Sequence, residues 1–437
     1  MTEGIAEESQ DAGPKIDGPS LWRQRDFMLL WSGQTVSEMG SAVTEVALPL
    51  LAVVALKAST FQVGLLTAAT TLAFAVIALP AGAMVDGAAK RSIMIVCNVL
   101  RLVIIGSVPV AAAFGVLTMA QLYVVAIAAG VCSVFFDVSY QSYVPSLVRS
   151  DRLMSANGKL VTTQAFAQLG GPSLGGGLVG LFGAAGAMTA DAVSYAVSAL
   201  SILGIRTREE PPQPRPTDET LGRRIAEGLK FVFGHGILRK VVACTGTANL
   251  FTGMSSALTM VFLIRVLHVR PALTGLILAG AAIGGIAGGA FAGRLAKKVG
   301  SARIIWVSML VFSAPQVIAA AAWPGWGVLL LPLGWGIAYF SGMVYNVAQL
   351  SYRQSVTPPE MMGRMNAAVR WVVWGTLPIG SVLGGVLGTL VGVRPALWLA
   401  SIGAWAAGWF VFLSPLRHMR DVPEPAPTTA SAPVATS

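Results

Sequence analysis

Twelve stretches of about 20 mainly apolar residues follow one another along this chain, each long enough to cross the hydrocarbon core of a bilayer. Only 11% of the residues are charged, against about a quarter in soluble domains. Because lipid offers no hydrogen bonds to a bare backbone, such segments cross as helices. The sequence therefore predicts an all-α integral membrane protein with spans at 27–52, 60–84, 92–114, 118–138, 159–182, 187–205, 240–264, 272–295, 303–322, 326–350, 368–391 and 395–413.

The second half of the chain repeats part of the first half at a constant offset of 209 residues. Residues 346–392 are identical to residues 137–183 at 12 of 47 positions, where this composition alone gives roughly four. Duplicated halves in a membrane protein are typical of transporters whose substrate site lies between the halves. The twelve predicted helices therefore form two six-helix pseudo-repeats.

Lys and Arg residues are concentrated on one predicted side of the membrane. If both termini are cytoplasmic, the termini, loops and adjoining span ends on the cytoplasmic side contain 25 of these residues. The loops and span ends on the outer side contain four, at Lys57, Arg265, Arg270 and Arg394. Basic residues favour the cytoplasmic side, so we expect a multi-pass protein of the cell (plasma or inner) membrane with both termini cytoplasmic. The same distribution accounts for the net charge of +10 without a nucleic-acid partner.

These patterns divide the chain into five parts: a cytoplasmic segment at 1–26, a bundle at 27–205, a cytoplasmic linker at 206–239, a second bundle at 240–413 and a disordered cytoplasmic tail at 414–437. In the linker, apolar residues at Leu221, Ile225, Leu229 and Val232 have the spacing of an amphipathic helix on the membrane surface. We expect a monomer.

Nucleotide-driven and metal chemistry are not indicated by the sequence. It contains no Walker loop and no cluster of His, Cys and Asp residues suited to a metal. Cys97, Cys132 and Cys244 lie in apolar segments without paired or metal-ligand spacing. We therefore expect no enzymatic activity, no metal and no cofactor, with a proton gradient as the energy source.

The loop after the second span, Gly82 to Arg91, reads GAMVDGAAKR. A glycine, an acid four residues later and a basic pair resemble the signature loop of the major facilitator superfamily, and the resemblance extends over 25–413. It implies the major facilitator fold and a conformational latch formed by Gly82, Asp86, Lys90 and Arg91, which clamps helix ends in one state and releases them in another. Alternatively, the basic pair only sets the topology and the acid is solvated.

The fifth span contains the segment Gly170 to Gly177, GGPSLGGG. It resembles the GP-x-x-GG core of the superfamily's proton-coupled exporters. The resemblance implies export, with Gly171, Pro172, Gly175 and Gly176 forming a hinge-like face against a helix of the other half. Alternatively, the segment is simply a closely packed helix face.

The chain also departs from these family patterns. Gly87 stands where most members have a basic residue, Gly293 stands at the position of Asp86 in the second half, and Ala167 replaces a further glycine of the exporter element. The fourth span lacks the arginine of many drug antiporters. The stretches 137–157 and 346–366 resemble the branch that includes siderophore and macrolide exporters.

Charged side chains inside the spans are candidates for proton coupling or substrate binding, because an ionised group in the bilayer interior is costly. Glu38 and Arg101, the one basic residue placed deep within a span, have similar depths and can pair. Glu45 projects from nearly the same side of span one as Glu38. Asp137, near the inner end of span four, and Asp191, near the outer end of span six, complete the set. Alternatively, these charges form ion pairs that fix helix packing.

A largely apolar and aromatic cavity is expected between the halves, and plausible lining residues are Phe135, Phe136, Tyr140, Tyr345, Asn346, Trp371 and Trp374. The sequence thus favours a secondary transporter that exports a small amphipathic or cationic molecule, such as an antibiotic or siderophore, by proton antiport and alternating access. We expect coupling in the first half and apolar substrate contacts in the second. An importer of the same fold is the alternative, and a membrane enzyme or receptor is a remote third.

Overall fold

The structure is a computed structural model, which describes residues 23–86, 88–148, 152–207, 209, 221–358 and 361–421. These residues form helices and turns, and eleven helices are long and apolar enough to cross a membrane. One of the eleven, Leu153–Leu203, consists of two helices that meet at Gly183. The described part of the chain therefore contains twelve spans, and the predicted all-α membrane fold is confirmed.

The helices of the first half are α1 (Arg25–Val54), α2 (Thr60–Asp86), α3 (Lys90–Ala113), α4 (Met119–Leu147), α5 (153–182) and α6 (184–203). Those of the second half are α7 (Leu238–Val266), α8 (Pro271–Val299), α9 (Arg303–Ala321), α10 (Gly325–Val356), α11 (Met362–Leu390) and α12 (Val393–Phe412). Their even number of crossings places both chain ends on one face, here called the terminal side, and the opposite face is called the far side.

Two glycines at equivalent repeat positions turn the chain on the far side. Gly183 has φ 73° between α5 and α6, and Gly392 has φ 95° between α11 and α12. Residues with a side chain rarely adopt such values, whereas glycine does so at no steric cost. The 209-residue repeat is therefore a helix–turn–helix unit that ends on a glycine turn.

Several helices extend beyond the predicted spans on the terminal side. α4 continues to Leu147 instead of ending at 138, α10 continues to Val356, and α5 and α11 begin at 153 and 362. The predicted ends were wrong because hydropathy marks where lipid ends, whereas a helix continues while its backbone hydrogen bonds are made. Arg353, assigned to a loop from the sequence, consequently lies in α10 and is 7% exposed.

Hydrogen bonds hold the segments that follow the two bundles against those bundles. Glu209 accepts backbone hydrogen bonds at the start of α3, and Asp421 accepts one from Ser301 just before α9 (2.9 Å). Residues 414–421, predicted as part of a disordered tail, instead include a short helix at Pro415–His418. The prediction was wrong there because these contacts compensate for a low apolar content. The predictions for residues 1–22 and for the tail from 422 fall outside the described residues.

The linker contains a helix at Leu221–Gly234, which lies against the start of α11. Glu227 on this helix forms an ion pair with Arg364 of α11 at 2.6 Å. The linker residues 208 and 210–220 lie outside the described part of the chain. The two halves pack directly through α2 against α11 and through α5 against α8.

Candidate functional site

Two carboxylates lie on one face of α1 near the middle of the bundle. Glu38 is half-buried and accepts a hydrogen bond from the Gln34 amide at 2.8 Å, one helical turn earlier. Glu45 is exposed, although its neighbours Val43 and Val46 are buried. Glu45 is close enough to interact electrostatically with Glu38 and Asp191, and also with Tyr339 on α10 of the other half. This carboxylate therefore faces the space between the halves.

Arg101 on α3 is buried between two aromatic rings. Its guanidinium carbon lies 4.5 Å from the ring centroids of both Phe136 and Tyr195, which is a cation–π arrangement on each face. One guanidinium nitrogen donates to Asn98 at 2.8 Å, and Asn98 in turn donates to Ser198 on α6 at 2.9 Å. Among the described residues, the buried Nε atom of Arg101 has no hydrogen-bond partner. The cation is thus held in place by Asn98 and the two rings, while its Nε–H donor is unused.

The predicted direct pairing of Glu38 with Arg101 is not made. Their side chains interact electrostatically, but no oxygen of Glu38 lies within 4.0 Å of a guanidinium nitrogen. Equal depth along two helices does not fix the direction of either side chain, which explains the difference.

Asp191 lies inside α6 and is fully buried, so its predicted place toward the outer end of that span does not bring the carboxyl group into contact with water. The span begins at 184 instead of 187, and α1 covers the side chain. One carboxylate oxygen accepts a hydrogen bond from Thr44 on α1 at 2.5 Å, and the other accepts one from Ser194 at 3.3 Å. Asp191 therefore links α1 to α6, and its carboxyl group, whether charged or protonated, is not in direct contact with solvent.

Asp137 on α4 faces a basic residue of the opposite half. It is half-buried and interacts electrostatically with Arg101, Glu38 and Arg370, the last of which is exposed on α11. The oxygens of Asp137 and the nitrogens of Arg370 are more than 4.0 Å apart. Because α4 extends to Leu147, Asp137 lies ten residues, or about 15 Å, from the terminal-side end of its helix. The predicted position near that end was therefore wrong.

Two of the proposed lining residues are part of the packed interior instead. Phe136 is 1% exposed beneath Arg101, and Tyr345 is 4% exposed and donates to the Val241 carbonyl at 3.1 Å. Trp374 stacks on Phe74 across the two halves with ring centroids 5.4 Å apart. Of the other four, Phe135 and Tyr140 are half-buried, and Trp371 and Asn346 are exposed. Residue type alone could not separate interior aromatic groups from cavity-facing ones.

The predicted latch loop is held by a residue that sequence reasoning missed. The Glu209 carboxylate accepts hydrogen bonds from the backbone nitrogens of Lys90 (2.8 Å) and Arg91 (2.5 Å), which are free donors at the start of α3. The Arg91 guanidinium donates to the carbonyls of Ile202 (3.2 Å) and Leu203 (2.8 Å) at the end of α6. In the sequence, Glu209 is recognisable only as an acid that follows a span, and no local sequence pattern indicates that it contacts α3. The Asp86 side chain and residue Gly87 lie outside the described residues.

The glycines of the exporter-type segment pack in two directions. Gly171 and Gly175 lie against Ala42 and Val43 of α1, within the first half. Gly176, one position further around the helix, lies against α8 of the second half, where a methyl group would be 2.8 Å from the Ala272 carbonyl oxygen. The segment therefore packs against α1 with one helix face and against α8 with the adjacent face.

The repeated glycines make the same pair of contacts in the second half. Gly380 and Gly384 lie against α7, and Gly385 crosses Gly64 on α2, where a methyl group on Gly385 would be 3.1 Å from the Gly64 Cα. The Arg265 guanidinium donates to the Ala58 carbonyl at 2.5 Å and adds a cross-half contact on the far side. These contacts close the bundle on the far side. Of the glycines shared by the two repeats, Gly176 and Gly385 thus form contacts between the halves, whereas the others pack within their own half or turn the chain.

Twelve spanning helices in two pseudo-symmetric bundles, with charged groups at the centre and glycine crossings between the bundles, are the architecture of a membrane transporter. The sequence profile of the transmembrane secretion effector family matches residues 19–435, and the chain belongs to this family of the major facilitator superfamily.

Similar proteins agree with this assignment. The chain is 25% identical over 411 residues to the multidrug efflux pump Tap of Mycolicibacterium fortuitum, covering 90% of this chain and 96% of that protein. It is 26% identical over 297 residues to the enterobactin exporter EntS of Citrobacter koseri, covering 66% and 68%. The resemblance to the drug and siderophore exporter branch is therefore confirmed.

Solved transporter structures share the fold. A bacterial homologue of the iron transporter ferroportin in an inward-facing state has a TM-score of 0.73 at 15% identity, over 90% of this chain and 99% of that one. A bacterial homologue of the lysosomal transporter Spinster, inward-facing and unoccupied, has a TM-score of 0.68 at 15% identity, over 91% and 97%. The family and these neighbours are transporters, and none of these comparisons indicates an enzyme.

Proposed function

We propose that this protein exports a small amphipathic or cationic molecule across the cell membrane in exchange for protons, by alternating access. The observation that carries the proposal is the exposed carboxylate of Glu45, which faces the space between the halves and interacts with Glu38, Asp191 and, across that space, Tyr339. An acid in this position can bind either a proton or a cationic substrate. Competition between the two, with access to alternate sides, produces antiport.

The fixed charges give the carboxylates different roles. Arg101 has no acid within ion-pair distance and is held between two rings, so it supplies a permanent positive field near Glu38 and Asp137. Asp191 is bonded to Thr44 and closed off from solvent. We assign proton exchange to Glu45 and Glu38, which remain accessible, and a structural role in joining α1 to α6 to Asp191.

The packing supports a state that opens on the terminal side. The glycine crossings between the halves and the Arg265 contact lie toward the far side, and a methyl group on Gly82, at the terminal-side end of α2, would meet no atom of the described residues within 4 Å. Asp137 and Arg370 face each other without an ion pair. We propose that they approach when the terminal side closes, and that the loop with Lys90 and Arg91 then acts as the latch.

Orientation and direction belong to the same proposal. Because basic residues favour the cytoplasmic side, the terminal side would face the cytoplasm, and the open space would receive substrate from there. The names of the relatives, a multidrug efflux pump and an enterobactin exporter, favour an amphipathic substrate that leaves the cell. We expect the proton gradient to be the energy source, with no cofactor.

The test is a flux assay in proteoliposomes with an imposed pH gradient, over a panel of antibiotics and siderophores. Wild type should move substrate against its gradient, and a protonophore should abolish this movement. Glu45→Gln and Glu38→Gln should lose proton-driven accumulation while retaining downhill exchange of substrate. Asp421→Asn, a carboxylate near the chain end whose side chain is 64% exposed, is the matched control and should behave as wild type.

Three outcomes contradict the proposal. Accumulation in the inward direction would establish the importer alternative. Insensitivity to the protonophore would remove proton coupling. Normal proton-driven flux in both glutamine variants would show that the coupling site is neither Glu45 nor Glu38.

A further inference from the structure

A lipid-facing groove lies on the seam between the halves, outside the charged centre. It is a cavity of about 530 Å³ between α2, α4 and α11. Ala68 and Ala69, which are 5% and 6% exposed, form its floor. Its rims are half-exposed side chains from both halves, among them Leu65, Leu72, Ile379 and Leu383. We call this cavity the seam groove.

Two contacts between α2 and α11 close the seam groove at its ends. Toward the far side, Gly64 and Gly385 bring the two backbones together. Toward the centre, Phe74 stacks on Trp374 with ring centroids 5.4 Å apart. Ten residues of α2 separate Gly64 from Phe74, so the groove is about 15 Å long. It is therefore a defined site of limited length and not a continuous furrow between helices.

The lining of the seam groove suits an alkyl chain. Its one hydroxyl group, on Tyr123, already donates to the Gln62 carbonyl at 3.2 Å. The other lining side chains are aliphatic. A polar or charged ligand would lose hydration there without gaining a partner, whereas an apolar chain would lose nothing. The volume lies within the range of about 300–1,000 Å³ that is typical of sites for small ligands.

The length of the seam groove and its depth in the membrane indicate where the bound alkyl chain comes from. A groove of about 15 Å matches half of the hydrocarbon core, which is about 30 Å thick, and half of the core is the reach of one acyl chain within one leaflet. Leu65 lies five residues, or about 8 Å, from the far-side end of α2. The groove thus opens into the hydrocarbon region of the far leaflet, where phospholipid acyl chains are the abundant apolar species.

We propose that the seam groove binds one acyl chain of a far-leaflet phospholipid, and that this chain stabilises the state closed on the far side. Because α2 and α4 belong to one half and α11 to the other, the groove is complete only while the halves are packed on that side. A ligand that binds one of two states shifts the population toward that state. This inference does not depend on the substrate or on proton coupling.

The first experiment uses the full-length protein in liposomes that contain phosphatidylcholine with a photoreactive diazirine near the middle of one acyl chain. After irradiation, adducts on 65–72 and 378–383 should exceed, several-fold, those around Leu174 of α5. Leu383→Trp, which fills the groove from its rim, should remove this excess. Leu174→Trp is the matched control, because Leu174 is the repeat equivalent of Leu383 and is 51% exposed outside the groove.

The second experiment measures the conformational effect. Spin labels on the far side of each half, at Phe114 and Trp326, should report a shift to shorter distances when phosphatidylcholine is added to delipidated protein in detergent. The shift should be absent in Leu383→Trp. If that variant does not fold, Ile379→Trp tests the same rim.

Equal adduct yields in the groove and around Leu174 would overturn the proposal, because they would indicate boundary lipid only. Groove adducts that persist in both tryptophan variants would also overturn it. A lipid-induced distance change that the tryptophan variants retain would refute the link to far-side closure. Loss of proton-driven transport in wild type would contradict the proposed function and leave these measurements unaffected.

Discussion

The crossing of α5 and α8 gives a quantitative prediction for the variant Gly176→Ala. A methyl group at this position would be 2.8 Å from the Ala272 carbonyl oxygen, 3.0 Å from the Gly275 nitrogen and 3.1 Å from the Gly275 Cα. All three atoms belong to the backbone, so no side chain can rotate away. Ordinary contact begins at 3.4 Å, and the helices must therefore separate by about 0.6 Å.

The cost of this separation falls on one conformational state. Overpacking of a close contact costs about 1–3 kcal/mol. In the proposed alternating-access cycle, the halves are in contact here only while the far side is closed. Gly176→Ala should therefore shift the equilibrium toward far-side opening by about 5- to 150-fold. The gain in helix propensity from glycine to alanine is the same in both states and cancels.

The measurement is a distance distribution between spin labels at Phe114 and Trp326, which are 78% and 87% exposed on the far side of the two halves. The native cysteines are first replaced. Gly177→Ala is the matched control, because a methyl group on this adjacent glycine would meet no atom within 4 Å. Longer distances in Gly176→Ala alone are expected. Equal distributions in wild type and Gly176→Ala, or an equal shift in Gly177→Ala, would refute the reasoning.

Three further sets of variants test other contacts. Glu209→Ala removes the carboxylate that caps the start of α3 and should cost about 0.5–2 kcal/mol, measured as a lower Tm of the purified protein. Gly183→Ala and Gly392→Ala force alanine into a positive-φ backbone conformation (ψ 168° and 155°) that glycine alone readily adopts, and each should cost about 1–3 kcal/mol by the same measurement, with similar values for the two repeats. Asp137→Asn and Arg370→Gln should each slow transport in proteoliposomes, and the double variant should be no slower than either one if the two side chains act as a pair.

The sequence was sufficient for the fold because lipid imposes a simple rule. Backbone groups in the hydrocarbon core must bond within a helix, so long apolar runs specify the spans directly. The repeat even contained the turn glycines, Gly183 and Gly392, although their positive-φ conformation became visible only in the structure. Helix ends were less predictable, since polar residues continue α4 beyond the apolar run to Leu147.

Much less of the candidate site could be derived from the sequence. The intramembrane acids were found because their burial is costly, but their partners lie on other helices and depend on side-chain direction. Arg101 lies between Phe136 and Tyr195 instead of against Glu38, and Asp191 is bonded to Thr44. Glu209 follows its span by only a few residues, yet it acts on α3, more than a hundred residues earlier in the chain. Such contacts depend on tertiary packing, and no local pattern encodes them.

The packing around α5 connects the proposed coupling site to the closed far side. Gly175 lies against Val43 and Val46, the buried neighbours that flank Glu45 on α1, while Gly176 lies against Gly275 of the other half. A displacement of α1 on proton or substrate binding must therefore be transmitted to α5, since the glycine contact leaves no space to absorb it. Gly176, the adjacent residue on α5, then shifts with its helix and changes the crossing with α8.

The second repeat keeps the glycines but has Ser381 in place of Pro172 and no acid equivalent to Asp137. Its helices can therefore close the seam but lack these charges. In the proposed mechanism, this asymmetry places the response to protons in one half, while both halves form the gate.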